Sequence, residues 1–220
     1  MLNSLVNLWE LLFPSLLETL YMVFFSTIFS GLLGFILGII LVVTDKGHVW
    51  EKPLLNKVLG SIINVARSVP FIILIIAIFP LSRLIVGTTI GSTASIVPLS
   101  IAAAPFVARV IEASLKEVNW GVIEASISVG ATIPQIIFKV MIPEALPSLI
   151  LGITLTVINI LGYSAMAGAI GGGGLGDLAI RYGYQRFQTD GLIATIVVLV
   201  VLVEVIQVLG NLSAKKFDKR

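Results

Sequence analysis

Five of the six residues from Gly171 to Gly176 are glycine, the composition from which a phosphate cradle is built. A phosphate-binding loop also needs a lysine and a hydroxyl right after its last glycine, at the start of a helix that follows a strand. Asp177 stands there instead, and a long apolar stretch precedes the run. The pattern occurs nowhere else, so the chain is expected not to hydrolyse ATP. Backbone without side chains suits a tight turn, or a gate beside a wet path through a membrane. Gly171, Gly172, Gly173, Gly174 and Gly176 are therefore candidate gate residues. His48 is the sole histidine, and cysteine is absent. A metal site needs several such ligands, so no metal ligand is assigned. Asp177 and Asp190 flank one loop without a supporting constellation, and no catalytic residue is assigned.

Arg67 is the most informative ionisable residue. It follows Lys57 by ten positions in an otherwise apolar stretch, which on one continuous helix is about 15 Å of rise, near mid-bilayer. A charge at that depth faces protein or water. One reading is recognition of a substrate carboxylate by the guanidinium fork. The other is a structural partner, such as Glu204 or carbonyls freed by Pro70. Ser68 follows Arg67 directly. Asn159 and Tyr163 share a helical face, and with Ser164 and Met166 they could line a path for a small, partly apolar solute. Helix-to-helix hydrogen bonding is the competing reading for these four.

The elements that must position these residues are membrane spans. The 220 residues are 57% hydrophobic and 12% charged, with mean hydropathy +1.08. That is about half the usual charged share of a soluble domain. Charge-free runs cover Thr19–Thr44, Leu84–Ala108 and Ala145–Gly176. Two weaker runs carry Arg67 and Glu204. The expectation is an all-α integral membrane protein of one domain over 1–220, with spans near 19–44, 58–82, 84–108, 147–170 and 190–212. Residues 2–20 carry Leu2, Leu5, Val6, Trp9, Leu12, Phe13, Leu16 and Leu20 at helical spacing, as an interfacial amphipathic helix would. Ser26, Ser30, Gly34 and Gly38 recur every four residues, a stripe suited to close helix packing within the chain or between subunits.

Lysine and arginine placement gives direction. Lys46, Lys52 and Lys57 fall between the first two spans, Arg109, Lys116 and Lys139 between the third and fourth, and Lys215, Lys216, Lys219 and Arg220 in the tail. The positive-inside rule puts the N-terminus outside and the C-terminus in the cytoplasm. Between spans three and four, residues 119–143 hold two short helical patterns, a compact knob. Asn119 caps the first, Gly130 turns the chain, Thr132 caps the second, and Pro143 stops it.

This knob resembles the EAA loop of ABC importer permeases. Glu124-Ala125-Ser126, three residues, Gly130, nine residues, then Val140-Met141-Ile142-Pro143 follow that pattern, with departures at Ser126, Val140 and Ile142. Arg67-Ser68-Val69-Pro70-Phe71, Ala104-Pro105-Phe106-Val107-Ala108-Arg109, Glu144-Ala145-Leu146-Pro147 and Gly162 to Gly168 resemble the permease subunits of methionine ABC importers, as does the glycine run. The likeness spans roughly Thr19 to Val208. It implies a homodimer in a bacterial plasma membrane, surrounded by lipid. Two separate ATP-binding subunits would carry ATP and Mg, and an extracytoplasmic methionine-binding protein would deliver substrate. It also implies that Glu124, Ala125, Ser126, Gly130, Ile142 and Pro143 dock on the ATPase. Nucleic acid is not an expected partner. The alternatives are a permease for another amino acid or a quaternary amine, and a self-contained channel or secondary transporter. The few aromatic residues in the spans disfavour the amine, and the lack of inverted repeats disfavours the secondary transporter.

Overall fold

The computed structural model describes residues 2–218, with side chains from Trp9 onward. Lys219 and Arg220 of the basic tail lie outside the described residues, as do the side chains of Leu2, Leu5 and Val6. The first element, α1, is one uninterrupted helix over Leu2–Val43. At ~1.5 Å per residue it is about 63 Å long, twice a hydrocarbon core. The expected interfacial helix is therefore not a separate element but the N-terminal extension of the first span. Nothing between Ser15 and Leu20 breaks the helix, and the Thr19 hydroxyl donates back to the Ser15 carbonyl at 3.0 Å.

The second span departs from expectation in a way the sequence explains. It is two helices, α2 (Pro53–Ser68) and α3 (Phe71–Val86), bent by 106°. Pro70 has no N–H to donate and forces the preceding residue out of the helical region; Val69 is extended at ψ 126°. The chain then turns at Gly87 to Gly91, and α4 covers Ser92–Lys116. The expected span at 84–108 thus starts eight residues too early, because an uncharged turn reads like membrane.

Helix α4 is the centre of the bundle. Of its most apolar window, 61% is buried, against 6% for the last helix. The small-residue stripe of α1 packs on it within the chain. Ser26 and Ser30 are fully buried, the Ser26 hydroxyl donates to the Ile96 carbonyl at 3.5 Å, and a Cβ at Gly38 would lie 2.7 Å from the Ile111 Cβ.

After α4 come α5 (Trp120–Ser128), the short α6 (Ile133–Gln135), a π-helical turn at Ile136–Met141 and α7 (Ile142–Glu144). Helix α8 (Leu146–Ala167) recrosses the bundle. A wide turn at Gly168–Gly172, α9 (Gly174–Leu178) and a π-helical Ala179–Gln185 lead to α10 (Thr189–Phe217). Among the described residues, four helices are long and apolar enough to cross a membrane, and the bent α2–α3 pair, taken as one span, makes five.

Candidate functional site

The knob is built by local chain chemistry. The Asn119 carboxamide oxygen accepts the Gly121 N–H at 2.8 Å and starts α5. At its far end the Ala131 N–H donates to the Ser126 carbonyl and the Gly130 N–H to the Ile127 carbonyl, at 3.0 and 2.9 Å. That pair of bonds closes a helix around a left-handed residue, and Gly130 has φ +81°. The Gln135 side chain then accepts the Thr132 N–H at 2.8 Å and starts the second arm.

The inner faces of both arms are core. Ile123, Ile136, Ile137 and Met141 are buried with Val42, Val107, Ile111 and Leu115, so the knob is packed onto the ends of α1 and α4. The outer face exposes Glu124, Ala125, Gly130 and Pro143, with Ser126 half-buried. Ile142, like Ser126, is half-buried, and it packs in part against the core beside Met141. The second arm does not stop before Pro143 but runs to Glu144. Its wide register, in which the Ile142 N–H donates to the Ile137 carbonyl, accommodates a residue that cannot donate. Val129, 85% exposed, and Phe138, 60% exposed, add an apolar outer patch. The sequence reading missed both, although a branched apolar residue just before a turning glycine has no helix face left to bury it.

Against α5 lies the loop after α1. His48 meets the Trp120 ring edge-on at 5.5 Å, beside a cleft of about 520 Å3 lined by Asp45, Lys46, His48, Lys116, Trp120 and Ile123. Burial pushes His48 below the usual imidazole value; Asp45 opposes the shift and Lys116 adds to it. A hydrogen bond from Lys116 holds Asp45 below the usual carboxylate value.

The elbow between α2 and α3 brings Arg67 to Tyr163. A cavity of about 150 Å3 is lined by Arg67, Phe71, Leu74, Ala102, Phe106 and Tyr163. Phe71 and Tyr163 stack at 4.3 Å, 4° from parallel. The Arg67 side chain is exposed on the elbow, and no ion pair joins it to Glu204 among the described residues. Ser68 hydrogen-bonds to the Asn64 carbonyl at 2.8 Å on its own helix. Asn159, Tyr163 and Met166 share one partly exposed face of α8. Ser164 does not belong with them: it is buried and donates to the Leu161 carbonyl at 2.7 Å. Phe71 and Phe106, which the sequence reading named only within its resembling segments and not as site residues, directly follow Pro70 and Pro105.

At the opposite end, the glycine run folds back against α1. The Gly174 N–H donates to the Glu18 carboxylate at 2.7 Å, and the Leu175 N–H to the Thr19 hydroxyl at 2.8 Å. Gly173 has φ +77°, and a Cβ there would lie 2.6 Å from a Glu18 oxygen. Gly172, Gly174 and Gly176 are buried, and Gly171 and Gly173 border a polar cleft with Glu10, Glu18, Asp177 and Arg181. Glu18 and Thr19 were not singled out from the sequence, although they stand where the charge-free first run begins.

Residues 31–220 match the model of the binding-protein-dependent transport system inner membrane component family. The chain belongs to that family. It is 49% identical to the probable D-methionine transport system permease protein MetI of Vibrio cholerae, over 96% of this chain and 94% of that protein. It is 46% identical to the methionine import system permease protein MetP of Bacillus subtilis, over 99% and 96%. Among solved structures it superposes on a chain of the inward-facing MetNI methionine ABC transporter with a TM-score of 0.95 and 43% identity, covering 97% of this chain and 99% of that one. As a binding-protein-dependent transport component, the chain is a multi-pass membrane transport subunit and not a self-contained channel. The 119–143 knob, the elbow and the glycine turn are then three stations along one transport subunit.

Proposed function

We propose that the chain is the membrane-spanning permease subunit of an ATP-driven methionine importer. It acts as a homodimer with two ATP-binding subunits that carry ATP and Mg, and a methionine-binding protein supplies substrate from outside. The knob, with Glu124, Ala125, Ser126, Gly130 and Pro143, docks on the ATP-binding subunit at the cytoplasmic face. The N-terminus lies outside. Arg67, Tyr163, Asn159 and Met166 border the path, where Arg67 meets the carboxylate and the apolar walls meet the thioether. The glycine turn at 171–176 closes the outer end. Nucleotide-driven closure of the partner subunits shifts the knob, and transport follows only because the two states of the permease contact substrate and partner differently.

The observation that carries this reading is the near-complete superposition on the MetNI chain at 43% identity, joined to a knob whose inner face is locked into the bundle while its outer face stays free. The test is reconstitution into proteoliposomes with the ATP-binding subunits and binding protein, following uptake of labelled L- and D-methionine. ATP-dependent uptake that Gly130→Asp abolishes, together with loss of the ATP-binding subunit from a detergent pull-down, is the expected result. Wild-type vesicles that take up another amino acid but neither form of methionine would overturn the substrate.

A further inference from the structure

Helix α4 carries a stripe of charge at the knob end of the bundle. Glu112, 8% exposed, holds two cations from its own helix, Arg109 at 2.6 Å and Lys116 at 2.9 Å. Each cation also reaches another element. Lys116 Nζ lies 2.7 Å from the Asp45 carboxylate at the end of α1. The second terminal nitrogen of Arg109 donates to the Gly60 carbonyl at 3.1 Å and the Asn64 side chain at 2.9 Å, both on α2. The absence of a side chain at Gly60 lets the guanidinium approach, since a Cβ there would sit 3.3 Å from it.

The position of this stripe matters more than its strength. Asn64 is three residues before Arg67 at the elbow, and Lys116 is four residues before α5 of the knob. Beside these bonds α2 packs through apolar contact, Ile63 with Ala108 of α4 and Leu41 of α1, and apolar packing is non-directional. Asn56 ties only the start of α2, to the Leu41 carbonyl at 2.6 Å. A planar fork that bonds a buried carboxylate with one arm and a neighbouring helix with the other fixes register in a way a lysine cannot.

We infer that Arg109 is the positioning residue that makes the elbow follow the knob. Displacement of α5 and the end of α4 reaches α2, and so Arg67, through the Arg109 fork, with Glu112 and Lys116 holding the fork in place. This rests on the importer reading above.

The test measures methionine taken up per ATP hydrolysed by the reconstituted complex. A residue needed only for folding lowers both together and leaves that ratio alone. Arg109→Gln and Arg109→Lys are expected to keep hydrolysis and lose about tenfold in the ratio, within the usual range of coupling energies. Asn64→Leu removes one of the two bonds to α2, keeps the Gly60 bond and leaves Glu112 paired, and is expected to lose about threefold, the low end of what one hydrogen bond is worth. Asn64→Leu decides the matter if the Arg109 variants do not fold. Because the natural chain has no cysteine, spin labels at Ser61→Cys on α2 and Lys139→Cys on the knob give a second readout. Their separation should stay constant when ATP is added to the otherwise wild-type complex and change when Arg109→Gln is present. Variants that import at the wild-type ratio overturn the proposal alone, and so does a parallel fall of hydrolysis and uptake in all three. A wild-type complex that imports nothing overturns the importer reading and the proposal with it.

Discussion

His48 illustrates how one half-buried group sets a pH limit. Its Nδ1 is enclosed without a hydrogen-bond partner among the described residues, and burial lowers its affinity for protons below the ordinary value near 6.5. The unfolded chain therefore binds more protons than the folded chain just below that value, and stability rises with pH there. The contribution of His48 is full above about 6.5 and is lost as pH falls from there through the folded value. Asp45 acts in a separate window. Lys116 holds it below its ordinary 3.8, so its stabilisation is lost only as pH falls further, through its lower folded value. Thermal unfolding of the detergent-solubilised protein from pH 8 to 5 should show a declining midpoint below 6.5 that His48→Phe flattens. Parallel curves for the two proteins would count against a half-buried neutral imidazole. The sequence made the knob legible at this scale because caps and turning glycines act locally: Asn119 and Gly130 do in the structure what their residue types require. It left His48 a lone residue, because the Trp120 ring that buries it lies 72 positions away and nothing in the spacing links the two.

At the scale of elements, two close approaches carry opposite kinds of consequence. Along α1, Gly38 lets the helix lie against α4, where a Cβ would be 2.8 Å from the Ala108 carbonyl. Gly38→Val must push the helices apart and should cost about 1–3 kcal/mol, as overpacking usually does. A lower thermal midpoint would register it, and an unchanged midpoint would mean that α1 does not pack on α4 along this stripe. Gly173 works through conformation as well as space. An alanine there meets both the left-handed backbone and the Glu18 carboxylate, and it releases the turn from α1. We expect Gly173→Ala to lose uptake while the ATP-binding subunit still co-purifies, because the turn is at the other end of the molecule from the knob. Loss of the partner instead would mean global unfolding and no local role. Element boundaries were legible only where something marks them. Asp45-Lys46-Gly47 ends the first span as read, whereas Gly87 to Gly91 ends α3 without a charge and displaced the third span by eight residues. Pro70 was visible in the sequence, but a proline can kink a helix or end it, and the extended Val69 and the 106° bend appear only in the structure.

For the whole molecule, the decisive question is which end faces the cytoplasm, and the basic residues give the argument. Lys46, Lys52, Lys116 and Lys139 gather at the knob end, while the glycine-turn end keeps Arg83, Arg181, which is paired with Asp177, and Arg186, which lies over the Tyr182 ring. A count of cations treats Arg181 as a cytoplasmic signal, but a cation already paired to an acid one helical turn away is a weaker one. The pairing weakens one of the two cationic objections to an outer location for 177–190 and leaves Arg186 as the other. With no cysteine in the natural chain, single substitutions report each end without background. Val129→Cys on the knob should react with an impermeant maleimide only after cells are opened. Thr89→Cys and Tyr184→Cys, in exposed segments at the other end, should react in intact cells. The reverse pattern would place the glycine turn in the cytoplasm, put the knob out of reach of any ATP-binding subunit, and end the importer mechanism regardless of sequence likeness. The stated pattern would instead put the Gly174–Glu18 contact at the entry and the Arg109 fork at the drive end, with the Arg67 elbow between them.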